Sequence, residues 1–128
     1  MSSQPQRVLI IDDHAPFRAA ARELLERRGF TVVGEADGAK AGLEAAEAVA
    51  PEAVVLDIQL PDGNGVDVCK ALTEANPTLA VLLVSADEHH DRSADDCGAV
   101  AFLAKRRLVS ADLGGLLRGG ADRPSADV

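Results

Sequence analysis

Three aspartates, a serine and a lysine carry the chemistry open to this 128-residue chain, and each stands at the end of an apolar run. Val8-Leu9-Ile10-Ile11 stops on Asp12-Asp13, and Ala53-Val54-Val55-Leu56 stops on Asp57. The run from Leu79 to Val84 stops on Ser85, and the run from Val100 to Ala104 stops on Lys105. If these runs are parallel strands of one sheet, their ends converge on one edge. Three carboxylates brought together repel, and without relief one of them holds a proton. A hard divalent cation relieves that repulsion, and Mg2+ favours a few carboxylates together with waters and phosphate oxygens. Such a site suits phosphoryl transfer, which depends on positioning and charge stabilisation more than on covalent work by the protein. Asp57 is then the candidate nucleophile, forming an acyl phosphate. The cation would screen charge between Asp57 and the incoming group, and Ser85 and Lys105 can hold the remaining oxygens. Taken singly, Asp57 reads as a turn former or helix cap, Asp12-Asp13 as a solvated turn, and Lys105 as surface charge. Only the combination points to chemistry.

The elements that must position these residues alternate between strand and helix. Arg7 to Ile11 reads as a buried strand. Phe17, Ala20, Ala21, Leu24, Leu25 and Arg28 then fall at helical spacing, with Pro16 tolerated in the first turn and Gly29 as a stop. Thr31 to Ala36 is a weaker strand, and Ala39, Leu43, Ala46 and Val49 mark a second helix closed by Pro51. Leu60-Pro61-Asp62-Gly63-Asn64-Gly65 is strong turn chemistry. Val66, Cys69 and Leu72 give a third helix ending near Asn76-Pro77. Asp87 to Asp96 is very polar and reads as a weakly amphipathic helix. A last helix places Leu113, Leu116 and Leu117 on one face, though its glycines each cost ~1 kcal/mol against alanine. From about Gly119 the chain reads as a frayed tail. Strands joined by helices imply a parallel sheet covered on both faces, because parallel strands need crossover connections. Right-handed crossovers bring the C-terminal strand ends to one edge, where ligands bind in such sheets.

One domain accounts for the length, and its core can stand without disulfides or structural metal. The residues are 47% hydrophobic with no Trp, no Tyr and three Phe, so Val, Leu, Ile and Ala must build that core. A net charge of −8 argues against a non-specific nucleic-acid surface and suits a soluble protein that meets other proteins. Cys69 and Cys97 lack zinc or redox-motif spacing and read as reduced thiols, buried or half-buried. No apolar run approaches the ~20 residues of a membrane helix, and Met1 to Gln6 carries no apolar signal region. A cytoplasmic location without membrane insertion is expected.

The chain resembles the receiver domain of two-component response regulators, the CheY-like domains. Four stretches carry the likeness in order: VLIIDDH (Val8 to His14), VVLDIQLPDGNGVDV (Val54 to Val68), LLVSADE (Leu82 to Glu88) and GAVAFLAK (Gly98 to Lys105). The resemblance implies an α/β flavodoxin-like (βα)5 doubly wound sheet of strand order 2-1-3-4-5. It places the receiver over residues 7–118, with 1–6 and 119–128 as flexible tails. It makes Asp57 the phosphoacceptor, and gives Mg2+ the ligands Asp12, Asp13, Asp57 and the backbone carbonyl of Gln59. Ser85 and Lys105 would bind the phosphoryl group, beside the small residue Ala86. Ser85 and Phe102 would form the switch, and Gln59 and Asp87 would tune the lifetime of the acyl phosphate. The implied partners are a histidine kinase or phosphotransfer protein and a downstream protein target, with no direct nucleic-acid contact. A phosphorylation-dependent dimer stays open. The implied role is that of a phosphoacceptor with intrinsic Mg2+-dependent phosphorylation and dephosphorylation chemistry, not an enzyme.

Arg106 stands where such domains usually carry a proline after the lysine. The polar Asp87 to Asp96 segment and the glycine-rich last helix are further departures, at elements that normally frame the output surface. His14 reads as a rim or capping residue, His89-His90 as part of a polar helix, and Arg27-Arg28 and Arg106-Arg107 as solvated ends. Three rival readings remain. Haloacid-dehalogenase-type phosphatases carry a second acid two residues past the nucleophile, where this chain has Gln59. A receiver cut from a longer DNA-binding regulator is the second, against which Met1 and the short tail suggest a stand-alone protein. A phosphorylation-independent interaction module is the third, opposed by the complete Asp57, Ser85 and Lys105 set.

Overall fold

Val8–Ile11 and Ala53–Asp57 are buried throughout in the computed structural model, which describes residues 6–86 and 97–122. They belong to β1 (Arg7–Ile11) and β3 (Ala53–Asp57), the inner strands of a five-stranded sheet. Around them lie β2 (Thr31–Ala36), β6 (Ala80–Ser85) and β7 (Ala101–Ala104), in the order β2-β1-β3-β6-β7 with every pairing parallel. Counting only this sheet's strands, that is the expected 2-1-3-4-5 arrangement. Burial on both faces is what lets these strands read as unbroken apolar runs.

Alternation along each strand divides the core into two layers. Leu9, Ile11, Val54, Leu56, Val81 and Leu83 pack with Val66, Cys69 and Leu72 of α3 (Gly65–Ala75), and alanines of α2 (Ala39–Val49) close that layer. Val8, Ile10, Val55, Leu82 and Val84 face the other way, onto Ala21 and Leu25 of α1 (Ala15–Arg27) and onto Leu113 and Leu117 of α4 (Leu113–Asp122). The leucine face expected of the last helix therefore meets the sheet, and helical backbone continues beyond Gly119. The Asp87 to Asp96 segment and His89-His90 lie outside the described residues.

The turn after Asp57 holds a small antiparallel hairpin, β4 (Gln59–Leu60) with β5 (Gly63–Asn64). It caps two helices. Asn64 Oδ1 accepts from the N–H of Val66 at 2.7 Å, and Asp62 accepts from the N–H groups of Ala39 and Lys40 at 2.6 and 3.1 Å. Lys105–Ser110, where Arg106 replaces the usual proline, forms a 3-10 helix, and no peptide bond among the described residues is cis. Arg28 is more than a solvated end, because its guanidinium donates to the carbonyls of Val109 and Ala111. Cys69 and Cys97 are buried free thiols, as expected, and Thr73 Oγ1 donates to the Cys97 carbonyl at 3.1 Å.

Gly42 lets α2 approach β1, since a Cβ there would lie 2.8 to 3.1 Å from three side-chain atoms of Ile11. Gly42→Ala improves helix propensity by ~1 kcal/mol, yet we expect a net loss of roughly 1–2 kcal/mol from overpacking. Urea denaturation should record that loss, with partial recovery when Ile11→Val is added. A more stable single variant would contradict the contact.

Candidate functional site

β1 and β3 are neighbours with Ile11 opposite Leu56, so the residues that follow them share one rim. Asp12 is pinned from three sides. Its N–H donates to the Ala36 carbonyl at 2.9 Å, its carbonyl accepts from Arg18 at 2.7 Å, and its Oδ1 accepts from the His14 N–H at 2.9 Å. His14 stands at the N-cap position of α1, but its own side chain makes no capping bond. Asp12 is wholly buried, and its Oδ2 lies 2.7 Å from Lys105 Nζ without hydrogen-bond geometry and without any other partner.

Asp57 is 5% exposed at the end of β3. Its Oδ1 accepts from the Gln59 N–H at 3.1 Å, and its Oδ2 faces Lys105 Nζ at 3.4 Å. Burial pushes its carboxyl above the usual range and the nearby Asp12 charge adds to this; the Gln59 N–H and the Lys105 ammonium offset part of the rise. Asp13 is exposed, yet one oxygen from each of Asp12, Asp13 and Asp57 lies within 4.8 Å of the others. An all-oxygen donor set containing a buried oxygen without a hydrogen bond fits a hard cation such as Mg2+.

Ser85 ends β6 at 7% exposure, with Ala104 opposite it across the strand pair. Lys105 follows Ala104 directly, and Ala86 is exposed just past Ser85. Phe102 pairs with Leu83 and packs, half-buried, against the α3-side layer. The residues expected at the rim therefore come together there, with Phe102 one layer below. Two others escaped the sequence reading. Phe17 of α1 lies beneath Lys105, its ring centroid 4.7 Å from Nζ. Gly65 is wedged against the backbone of Asp57 and Ile58: its N–H donates to the Ile58 carbonyl at 2.8 Å, and a Cβ would strike the Asp57 carbonyl and lie 2.7 Å from Ile58 Cα. The glycine inside the LPDGNG turn was the available signal for Gly65. Nothing in the sequence singled out Phe17 beyond its helical spacing.

A sequence profile of the response regulator receiver domain matches residues 8–111. The chain belongs to the response regulator receiver domain family. A putative transcriptional regulator of Pseudomonas aeruginosa is 37% identical over 107 residues, covering 81% of this chain and 51% of that protein. The signal receiver domain of the putative response regulator NarL from Mycobacterium tuberculosis superposes with a TM-score of 0.73 at 34% identity, over 88% of this chain and 96% of that one. A response regulator from Burkholderia pseudomallei, solved with a phosphorylated aspartic acid, a calcium ion and citrate, gives 0.78 at 25% identity over 94% and 72% of the two chains. The chain spans about half the length of the curated relatives it matches. No helix among the described residues is long and apolar enough to cross a membrane.

A carboxyl whose folded pKa is raised binds protons more tightly folded than unfolded, so its contribution to stability falls as pH rises through that pKa. Asp57→Asn should therefore be more stable than the parent at neutral pH without metal. The gap should close as pH drops below the ordinary carboxylate range. Asp62, held below that range by the Ala39 and Lys40 N–H groups, contributes with opposite sign but is common to both proteins. Thermal melts at several pH values test this, and an Asn variant less stable than the parent at pH 7 would refute it.

Proposed function

We propose that this domain accepts a phosphoryl group on Asp57 from the phosphohistidine of a partner kinase or phosphotransfer protein, with Mg2+ as cofactor. The observation that carries this is the meeting of the Asp12, Asp13 and Asp57 carboxylates with Lys105 on one rim of the sheet. A phosphorylated aspartate in the Burkholderia pseudomallei regulator supports the same chemistry here. Asp12, Asp13, Asp57 and the Gln59 carbonyl would hold the cation, which when bound neutralises charge between the carboxylate and the incoming group.

The chain's own residues do the rest. An Asp57 carboxylate oxygen attacks phosphorus, the P–N bond to the donor imidazole breaks, and its electron pair leaves with that ring. Lys105 gives up its contact with Asp57 Oδ2 to donate to a phosphoryl oxygen, and Ser85 donates to another beside the small Ala86. Movement of Ser85 would let Phe102 repack and alter a protein-binding surface near β7. Gln59 and Asp87 would set how long the acyl phosphate survives. A second reading, the receiver portion of a longer DNA-binding regulator, is favoured by transcriptional relatives of which the match covers only about half; the extent of the native reading frame decides it.

Intact-mass measurement after incubation with acetyl phosphate and Mg2+ should show one added phosphoryl group. Chelation or Asp57→Asn should abolish it, and Lys105→Ala should slow it on the order of 10²-fold, the loss typical of one aimed donor. Full labelling of the Asn variant would reject the assignment.

A further inference from the structure

Lys105 has to serve two arrangements. Before reaction its ammonium faces Asp12 Oδ2 at 2.7 Å and Asp57 Oδ2 at 3.4 Å. During transfer it must meet a phosphoryl oxygen instead. A lysine carries a compact charge on a flexible four-carbon stem with three rotatable donors, so carboxylates alone fix its position poorly. Left to them, the ammonium would sink into the acidic cluster and compete with the cation for the same oxygens.

On its other side, the ammonium lies over the face of Phe17, 4.7 Å from the ring centroid. That separation is within the ~6 Å reach of a cation–π contact. Phe17 sits in the first turn of α1, behind Pro16 at the helix start, and it packs half-buried against the layer beneath α1 and α4. It also borders a hollow shared with Ala20, Leu24, Lys105, Arg106, Leu108 and Val109, so apolar side chains of α1 and of the segment after β7 flank Lys105. Lys105 is 17% exposed, so this contact is screened less than a surface one.

We propose that Phe17 is a positioning residue for Lys105: its ring face holds the ammonium at the edge of the acidic cluster, free to exchange Asp57 Oδ2 for a phosphoryl oxygen. The proposal rests on Asp57 being the acceptor. Attraction to a ring face does not fix which N–H points where, so the ammonium can rotate between partners without leaving its seat. Lys105 transfers no proton in this step. It donates a hydrogen bond while the Asp57 oxygen forms the new bond to phosphorus and the donor bond breaks.

The test replaces Phe17 by mono-, di- and trifluorophenylalanine, which keep the ring's shape but weaken its negative face. Phosphorylation by acetyl phosphate at saturating Mg2+ should slow stepwise, by roughly threefold to tenfold across the series, the size of a partly screened cation–π contact. Half-saturating Mg2+ should rise across the series, as the ammonium settles onto the oxygens the cation needs, while melting temperature stays constant. Without metal or donor, the Lys105 ε-methylene protons should show a ring-current shift that Phe17→Leu abolishes and Phe17→Tyr keeps. A parent protein that labels normally while the fluorinated series stays flat overturns this proposal alone, as does an ε-methylene shift unmoved in Phe17→Leu. A parent protein that cannot be labelled overturns the acceptor assignment and this proposal with it.

Discussion

The electrostatic balance among Asp12, Asp57 and Lys105 is the constraint around which the structure is arranged. Two carboxylates with 0% and 5% exposure stand at the ends of adjacent strands, where their charges are poorly hydrated. Lys105, from the far side of the sheet, faces both. The balance is incomplete, because burial still leaves Asp57 with a raised proton affinity and Asp12 Oδ2 without a hydrogen bond. A site left short of positive charge has the electrostatics that a hard divalent cation would complete.

Strand register delivers that arrangement. Ile11 opposite Leu56, and Ser85 opposite Ala104, bring four chain segments to the same height. A slip of one residue would turn every side chain of a strand to the other face and exchange the two core layers. The layers resist it because each strand is packed on both sides. Small residues then set the height of the helices: Gly42 sits against Ile11, and a Cβ added at Gly63 would come within 3.0 Å of the Ala39 Cβ. Asp62 ties the loop after Asp57 to the start of α2 through two backbone N–H groups, so the loop is braced outside the sheet as well.

Much of this was legible because strands buried on both faces leave long apolar runs, and polar residues interrupt them only where the sheet ends. The bounds Thr31–Ala36 came from a shorter, weaker apolar run, and Ala39–Val49 from helical spacing closed by Pro51. The resemblance to the family implied roles for Asp57, Ser85 and Lys105 that spacing alone could not. What stayed hidden depends on tertiary proximity. Phe17 and Lys105 are far apart in the chain, and Phe17 looks like any core residue of an amphipathic helix. Arg28 reads as a solvated charge until the 3-10 segment supplies carbonyls for it. That segment, Lys105–Ser110, has a basic start and too short an apolar pattern to declare a period.

Gly65 has one more implication. With its backbone jammed against Asp57 and Ile58, the stretch after β3 has no slack in which Asp57 could retreat. Under the proposed function, a group added to Asp57 would have to be accommodated by its neighbours, on the β6 and β7 side of the rim, while Asp57 itself stays put. On that reading, adjustment and anvil fall to different strands.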